Sequence, residues 1–172
     1  MTRLDDSSTT SVSNLSKAAI DTSVIVEYVD RKGEYHDQAE AIFDALKAGQ
    51  LGLIIPHPIL AETYYVTATI CGKVGIENPR SRAANLIEWL SRHPSVHIPS
   101  EVGLDLEAGE AKLEHRIALT DCYVLAASKV FSCQAVFRCR EEEMLNRIGV
   151  LEKAYKVLFL EDYKSTPLFG SE

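Results

Sequence analysis

AAIDTSVI (residues 18–25) joins a short apolar run to an acid and to the start of a helical pattern. The run AAI indicates a buried strand, and the pattern after it predicts a helix from Thr22 to Val29. Four further strand-like runs alternate with helical patterns along the chain: LGLIIP (51–56), SVHIP (95–99), CQAVFR (133–138) and VLFL (157–160). Strands separated by helices of this length predict a parallel sheet of about five strands covered on both faces, which is a three-layer α/β/α sandwich.

Length and composition indicate one globular domain. The chain has 172 residues, of which 46% are apolar and 25% charged, enough for one sizeable core. Residues 1–17 hold eight Ser or Thr, so we expect a flexible arm there and the folded domain over 18–172. No apolar run approaches the ~18 residues of a membrane span, and Asp5 and Asp6 are untypical of a targeting peptide. We therefore expect a cytoplasmic protein that makes no membrane contact.

Charge and cysteine content narrow the class of function. A net charge of −7 argues against a domain that holds nucleic acid through bulk positive charge. This charge does not exclude a nucleic acid substrate, because metal ions bound by carboxylates reverse the negative charge locally. The four cysteines form no C-x-x-C pair, so we expect neither a zinc knuckle nor a disulfide framework.

Acidic residues stand at the starts of three predicted helices. Asp21 directly follows the first strand, Asp121 follows IALT, and the run Glu141–Glu143 follows the fourth strand. In open parallel sheets, ligands bind outside the carboxyl ends of the strands, where such residues gather. Taken alone, each of these acids also fits a helix cap or a solvated first turn, since negative charge is favoured at a helix start.

Glu62 is an acid that a helix cap does not explain. It lies inside a predicted helix, with Ile59 three residues before it and Val66 four residues after it, so it projects from the apolar stripe. A carboxylate on such a stripe needs a partner, because an isolated buried charge costs several kcal/mol. Arg and Lys are absent from residues 48–72 and cannot supply one locally.

The acids taken together predict a bound cation. Oxygen ligands without neighbouring His or Cys favour Mg²⁺ or Mn²⁺ over zinc. Such an ion serves phosphodiester hydrolysis by activating water, binding the phosphate and stabilising the leaving oxygen.

Four segments resemble the acidic motifs of PIN domains, most closely those of virulence-associated protein C (VapC)-type toxins. The segments are Ala-Ile-Asp21-Thr22-Ser23-Val-Ile, Ile-Leu-Ala-Glu62-Thr-Tyr, Leu-Thr-Asp121-Cys-Tyr-Val-Leu-Ala-Ala and Ala-Val-Phe-Arg-Cys-Arg-Glu141. The resemblance covers about residues 18–162, and the segments follow the order and the strand–helix context of that family. The resemblance implies a Mg²⁺- or Mn²⁺-dependent endoribonuclease on a five-stranded parallel sheet. It also implies three partners: an RNA substrate, a second copy in a homodimer and a cognate antitoxin.

The resemblance places the family's metal-binding acids on particular residues. Asp21, Glu62 and Asp121 fall on the first three acids. The fourth is usually Asp, and this sequence has no Asp there. Glu141 matches best by position, Glu142 is the alternative, and the sequence does not separate them from Glu143.

Four residues beside these motifs are candidates for contact with RNA. Some relatives use a hydroxyl near the first acid, here Thr22 or Ser23, although either hydroxyl also fits a helix cap. Arg138 and Arg140 flank the fourth motif, and alternation along a strand predicts that they point the same way. For each arginine, a solvated surface charge is the alternative.

Other classes of function compete with the nuclease. Metal-dependent phosphatases similar to haloacid dehalogenases carry a D-x-D signature. Asp21-Thr22-Ser23 lacks its second Asp, so this class fits less well. No G-x-G-x-x-G follows a strand, which excludes a Rossmann-type dinucleotide binder. The remaining alternative is a non-catalytic PIN-like module that binds RNA or protein, because a fold alone does not establish activity.

Overall fold

The computed structural model describes residues 15–163. Residues 1–14 of the expected N-terminal arm lie outside the described residues, and so do residues 164–172 of the expected domain. The expected arm extends to residue 17, whereas the first strand already begins at Ser16.

The described chain alternates strands and helices as the sequence predicts. The strands are β1 Ser16–Ile20, β2 Leu51–Ile54, β3 Val96–His97, β4 Gln134–Phe137 and β5 Val157–Phe159. The helices are α1 Thr22–Val29, α2 His36–Lys47, α3 His57–Lys73, α4 Pro79–Arg92, α5 Val102–His115, α6 Leu119–Val130, α7 Glu142–Leu145 and α8 Ile148–Ala154, with a final 3-10 turn over Leu160–Tyr163.

All the strand pairings are parallel, and the sheet order is β3-β2-β1-β4-β5. The predicted α/β architecture is therefore confirmed. From β1 the chain moves outward through β2 to β3, then crosses back and places β4 on the other side of β1. The order of the strands thus reverses between β1 and β4, and this reversal is the place where open α/β sheets bind their ligands.

The core lies on both sides of the central strands. Ala19, Ile20, Leu53, Ala135 and Val136 are at most 3% exposed, as expected for strands covered on two faces. Helix α6 packs against β1 and β4, while α2 packs against β2. Within residues 15–163, no helix combines the length and the apolar character that crossing a membrane would require.

This topology brings the starts of several helices to one edge. Helices α1 and α3 leave the carboxyl ends of β1 and β2. Helix α6 leads into β4 and runs against the strand direction, so its first turn lies at the same edge. The chain leaving β4 reaches Arg138 and then α7 there.

Candidate active site

A cavity of about 300 Å³ opens at the carboxyl edge of β1 and β4, where the strand order reverses. Its wall brings together acids that are far apart in the sequence. The lining residues are Asp21, Thr22, Ser23, Val26, Glu27, Glu62, Val66, Ala118, Thr120, Asp121, Arg138 and Glu141.

Asp21 is fixed by the turn from β1 into α1. Its backbone N–H donates to the carbonyl oxygen of Val136 at 3.0 Å, which ties the turn to β4. As the N-cap of α1, its Oδ2 accepts from the backbone N–H of Ser23 at 2.8 Å and from the Ser23 hydroxyl at 2.5 Å. Burial raises the pKa of Asp21, the hydrogen bonds from Ser23 oppose that rise, and the charge of Glu62 adds to it.

Thr22 connects the first helix to the third. Its hydroxyl donates to Oε2 of Glu62 at 2.9 Å and lies 3.5 Å from the carbonyl oxygen of Ile59. The sequence left open whether Thr22 and Ser23 cap the helix or contact substrate. In the structure both hydroxyls are directed to carboxylates, those of Glu62 and Asp21, and Asp21 itself caps the helix.

Asp121 lies in the first turn of α6 and is 6% exposed. Burial raises the pKa of Asp121 to about 8, and the charges of Asp21, Glu141, Glu62 and Glu143 contribute to the rise in that order. Burial first, and then repulsion from the other carboxyl groups at this edge, thus favour the protonated form of Asp121.

Glu141 is the member of the acidic run that lines the cavity. It is the N-cap residue of α7, whereas Glu142 and Glu143 lie in the first turn and outside the lining. Burial raises the pKa of Glu141, as does the charge of Asp21, while the charge of Arg138 opposes the rise.

The structure separates the two arginines that the sequence treats as a pair. Strand β4 ends at Phe137, so strand alternation does not extend to them, and the prediction that they point the same way is wrong. Arg138 lines the cavity. Arg140 instead donates to Glu161 at 2.9 Å and to Asp162 at 2.7 Å, and its guanidinium lies 4.2 Å from the ring centre of Phe159.

Glu27 lines the cavity and was missed from the sequence. It is 5% exposed, and its carboxylate is held by the side chain of Arg138 and by the backbone N–H of Tyr35. A signal was present, because Glu27 is the lone charge of the helix TSVIVEYV and lies three residues after the buried Val24. The argument made for Glu62, that an acid among apolar helix positions needs a partner, applies to Glu27 as well.

The ligand atoms that line the cavity are of the type that binds a hard divalent cation. Asp21, Glu62, Asp121 and Glu141 offer only carboxylate oxygens, and the charges of the other three add to the effect of burial on the pKa of Asp121. Among residues 15–163, no three His, Cys, Asp or Glu side chains are gathered closely enough to hold an ion as they stand. Mg²⁺ needs no closed protein cage, because it commonly keeps several waters and takes only one or two carboxylates directly.

Comparison with solved structures shows the same fold at low sequence identity. A chain from a toxin–antitoxin complex of Klebsiella pneumoniae superposes with a TM-score of 0.50 at 14% identity, covering 83% of this chain and 97% of its own length. PAE2754 of Pyrobaculum aerophilum gives a TM-score of 0.53 at 14% identity, covering 87% of this chain and 93% of its own.

Comparison by sequence gives one informative result. No protein with a curated description matches the chain significantly. The family model described as PIN domain matches residues 18–142, well over half of the chain and all of the region that carries the cavity acids up to Glu141. This chain therefore belongs to the PIN domain family.

Proposed function

We propose that this chain is a metal-dependent endoribonuclease of the toxin–antitoxin type, similar to VapC toxins, acting in the cytoplasm. One observation carries the proposal: four of the five carboxylates that line the cavity, those of Asp21, Glu62, Asp121 and Glu141, come from four separate parts of the chain and meet where the strand order reverses. Membership of the PIN domain family supports it, because PIN domains are generally nucleases.

In this proposal Asp21, Glu62, Asp121 and Glu141 hold Mg²⁺ or Mn²⁺. When bound, the ion supplies Lewis-acid chemistry, which means a more acidic water and a stabilised leaving oxygen. The chain's own contribution is to fix the acids in place. Ser23 orients Asp21 through two hydrogen bonds, and Thr22 orients Glu62 through one.

The proposed partners are RNA, a second copy of the chain and an antitoxin. The solved structure from Klebsiella pneumoniae is a toxin–antitoxin complex, which supports an antitoxin for this chain too. With a net charge of −7 and acids around the cavity, the chain would attract a basic peptide, since complementary charge speeds association. Light scattering after size exclusion tests the homodimer, which would have twice the mass of the 19.1 kDa chain.

Cleavage of single-stranded RNA by the purified protein tests the activity. We expect cleavage with Mg²⁺ or Mn²⁺ and none in EDTA. The variant Asp21→Asn keeps the size and the capping ability of the side chain but removes its charge, so it should fold and lose cleavage. If Asp21→Asn cleaves as fast as the wild type, the activity does not come from this cavity. If the wild type binds RNA without cleaving it, the chain is a binding module instead.

A further inference from the structure

Glu27 is a buried acid, and both of its carboxylate oxygens have partners. Its Oε2 accepts from the backbone N–H of Tyr35 at 3.0 Å, and its Oε1 accepts from the Arg138 guanidinium at 3.3 Å. A buried carboxylate stays ionised only where such groups replace water. The side chain of Glu27 is 6% exposed and that of Arg138 is 44% exposed, so the pair has a buried acidic end and an accessible basic end.

The loop between α1 and α2 leaves room for this carboxylate. A Cβ atom added at Gly33 would lie 2.2 Å from Oε2 of Glu27 and 3.0 Å from the carbonyl oxygen of Asp30. Any side chain at position 33 would therefore displace the Glu27 carboxylate. The shape of the loop is matched to the acid, although neither Gly33 nor Asp30 lines the cavity.

Arg138 is held at the cavity wall by its backbone as well as by Glu27. Its backbone N–H lies 3.4 Å from the hydroxyl of Ser23, the same hydroxyl that binds Asp21. Within residues 15–163 its buried Nε has no hydrogen-bond partner, and Arg138 is the one basic side chain in the cavity lining. A guanidinium has five N–H donors, so the bond to Glu27 leaves donors on the exposed part of the Arg138 side chain for a ligand.

The carboxylates that line the cavity repel the phosphates of an RNA backbone. A positive side chain fixed in the cavity wall offsets this repulsion. The planar guanidinium matches two oxygens of a phosphate, which makes Arg suited to this contact. The charge of Arg138 also reaches Glu141, whose pKa it lowers against the effect of burial. Without Glu27, the guanidinium would be free to pair with the cavity acids and would compete with a metal ion for them.

We propose that Glu27 is a positioning residue that holds the Arg138 guanidinium at the cavity wall, where it binds a phosphate of the RNA. Gly33, which has no side chain, leaves the space that the Glu27 carboxylate occupies. This inference rests on the proposed ribonuclease function and adds to it the group that receives the substrate backbone.

A double-mutant cycle on cleavage of a single-stranded RNA oligonucleotide tests the proposal. Glu27→Gln and Arg138→Ala should each lower kcat/KM by about 10–100-fold, the usual effect of removing a supporting residue. In the Arg138→Ala background, Glu27→Gln should cost less than about 2-fold. Gly33→Ala should behave as Glu27→Gln does, whereas Gly109→Ala, where an added Cβ meets nothing within 4 Å, is the matched control.

Two further readouts separate positioning from a merely structural role. The plot of log KM against log salt concentration should flatten by about 0.7 for Glu27→Gln and for Arg138→Ala alike, because each loses one phosphate contact. Mn²⁺ binding measured by calorimetry should persist in Arg138→Ala and in the double variant, which has no unpaired buried charge and should stay folded.

The possible outcomes distinguish this inference from the function on which it rests. If the wild type cleaves RNA and the losses from Glu27→Gln and Arg138→Ala add independently, Glu27 does not act through Arg138 and the inference is overturned. A salt dependence that Arg138→Ala leaves unchanged would overturn the phosphate contact, and this measurement does not depend on Glu27→Gln folding. If the wild type does not cleave RNA at all, the proposed function fails and the inference fails with it.

Discussion

The hydroxyl of Thr22 donates a 2.9 Å hydrogen bond to Oε2 of Glu62 and so joins the first turn of α1 to the second turn of α3. Thr22 is 5% exposed, so water cannot easily replace this bond. The bond therefore fixes the position of Glu62, in α3, relative to the turn after β1 that carries Asp21. The hydroxyls of Thr22 and Ser23 thus hold two of the cavity acids by hydrogen bonds.

Replacing Thr22 tests the bond to Glu62. Thr22→Val keeps the shape of the side chain but removes the donor to Glu62, so Mn²⁺ affinity measured by calorimetry should fall by about 10-fold. The free energy of unfolding should fall by about 1–2 kcal/mol in urea denaturation. Thr22→Ser retains the hydroxyl and is the control. Equal Mn²⁺ affinity in Thr22→Val and Thr22→Ser would show that the bond does not orient Glu62.

We expect Asp121 to make the stability of the metal-free protein depend on pH. Its pKa is about 8 in the folded chain and ~3.9 in an unfolded one. Between these values the folded state binds more protons than the unfolded state, so the free energy of unfolding falls as pH rises. In EDTA, Asp121→Asn should therefore unfold several degrees above the wild type at pH 8, with the gap closing towards pH 4. A gap that is constant with pH in thermal melts would contradict this assignment.

The acidic run offers a matched pair of variants. Glu141 lines the cavity and Glu142 does not, although they are adjacent and carry the same side chain. Glu141→Gln should lower RNA cleavage by about 10-fold or more and weaken Mn²⁺ binding, because it removes one proposed ligand. Glu142→Gln should leave both close to wild type. The reverse result would assign the fourth acid to Glu142.

Arg140 should matter for stability rather than for RNA. Its contacts with Glu161, Asp162 and the ring of Phe159 hold the 3-10 turn and β5 to the loop after β4. Arg140→Ala should lower the free energy of unfolding by about 1 kcal/mol, or ~2–4 °C in Tm. Arg92→Ala, which removes an exposed pair with Glu88, should change Tm by less.

The rate of RNA cleavage by the same variants tests the other part of this prediction, that Arg140 does not contact RNA. Arg140→Ala should cleave RNA at nearly the wild-type rate, since the structure does not bring Arg140 to the cavity. A large loss of cleavage with unchanged Tm would show that Arg140 meets the substrate after all.

Much of the fold could be predicted from sequence because strands buried on both faces are continuous apolar runs. Such runs are short and sharply bounded in this chain, and helical patterns of ordinary length separate them. Between β4 and β5 the chain forms two short helices, α7 and α8, instead of one continuous helix. There Arg147 adopts φ −121°, outside the helical range, and a second helix begins at Ile148.

The site was less accessible to sequence reasoning than the fold. An acid directly after a strand has its position set by the strand, which is why Asp21 could be placed at the sheet edge. The orientation of Arg138 and Arg140 depends on acids distant in the sequence, Glu27 for one and Glu161 for the other. No local pattern carries that information.

A Mn²⁺ soak of crystals of the protein tests the central claim most directly. The account predicts an anomalous difference peak in the cavity, with carboxylate oxygens of Asp21, Glu62 and Asp121 around it, directly or through water, and Glu141 beside them. The peak should be absent from crystals of Asp21→Asn. Full Mn²⁺ occupancy elsewhere on the molecule with none in this cavity, or an Asp21→Asn peak as strong as that of the wild type, would contradict the account.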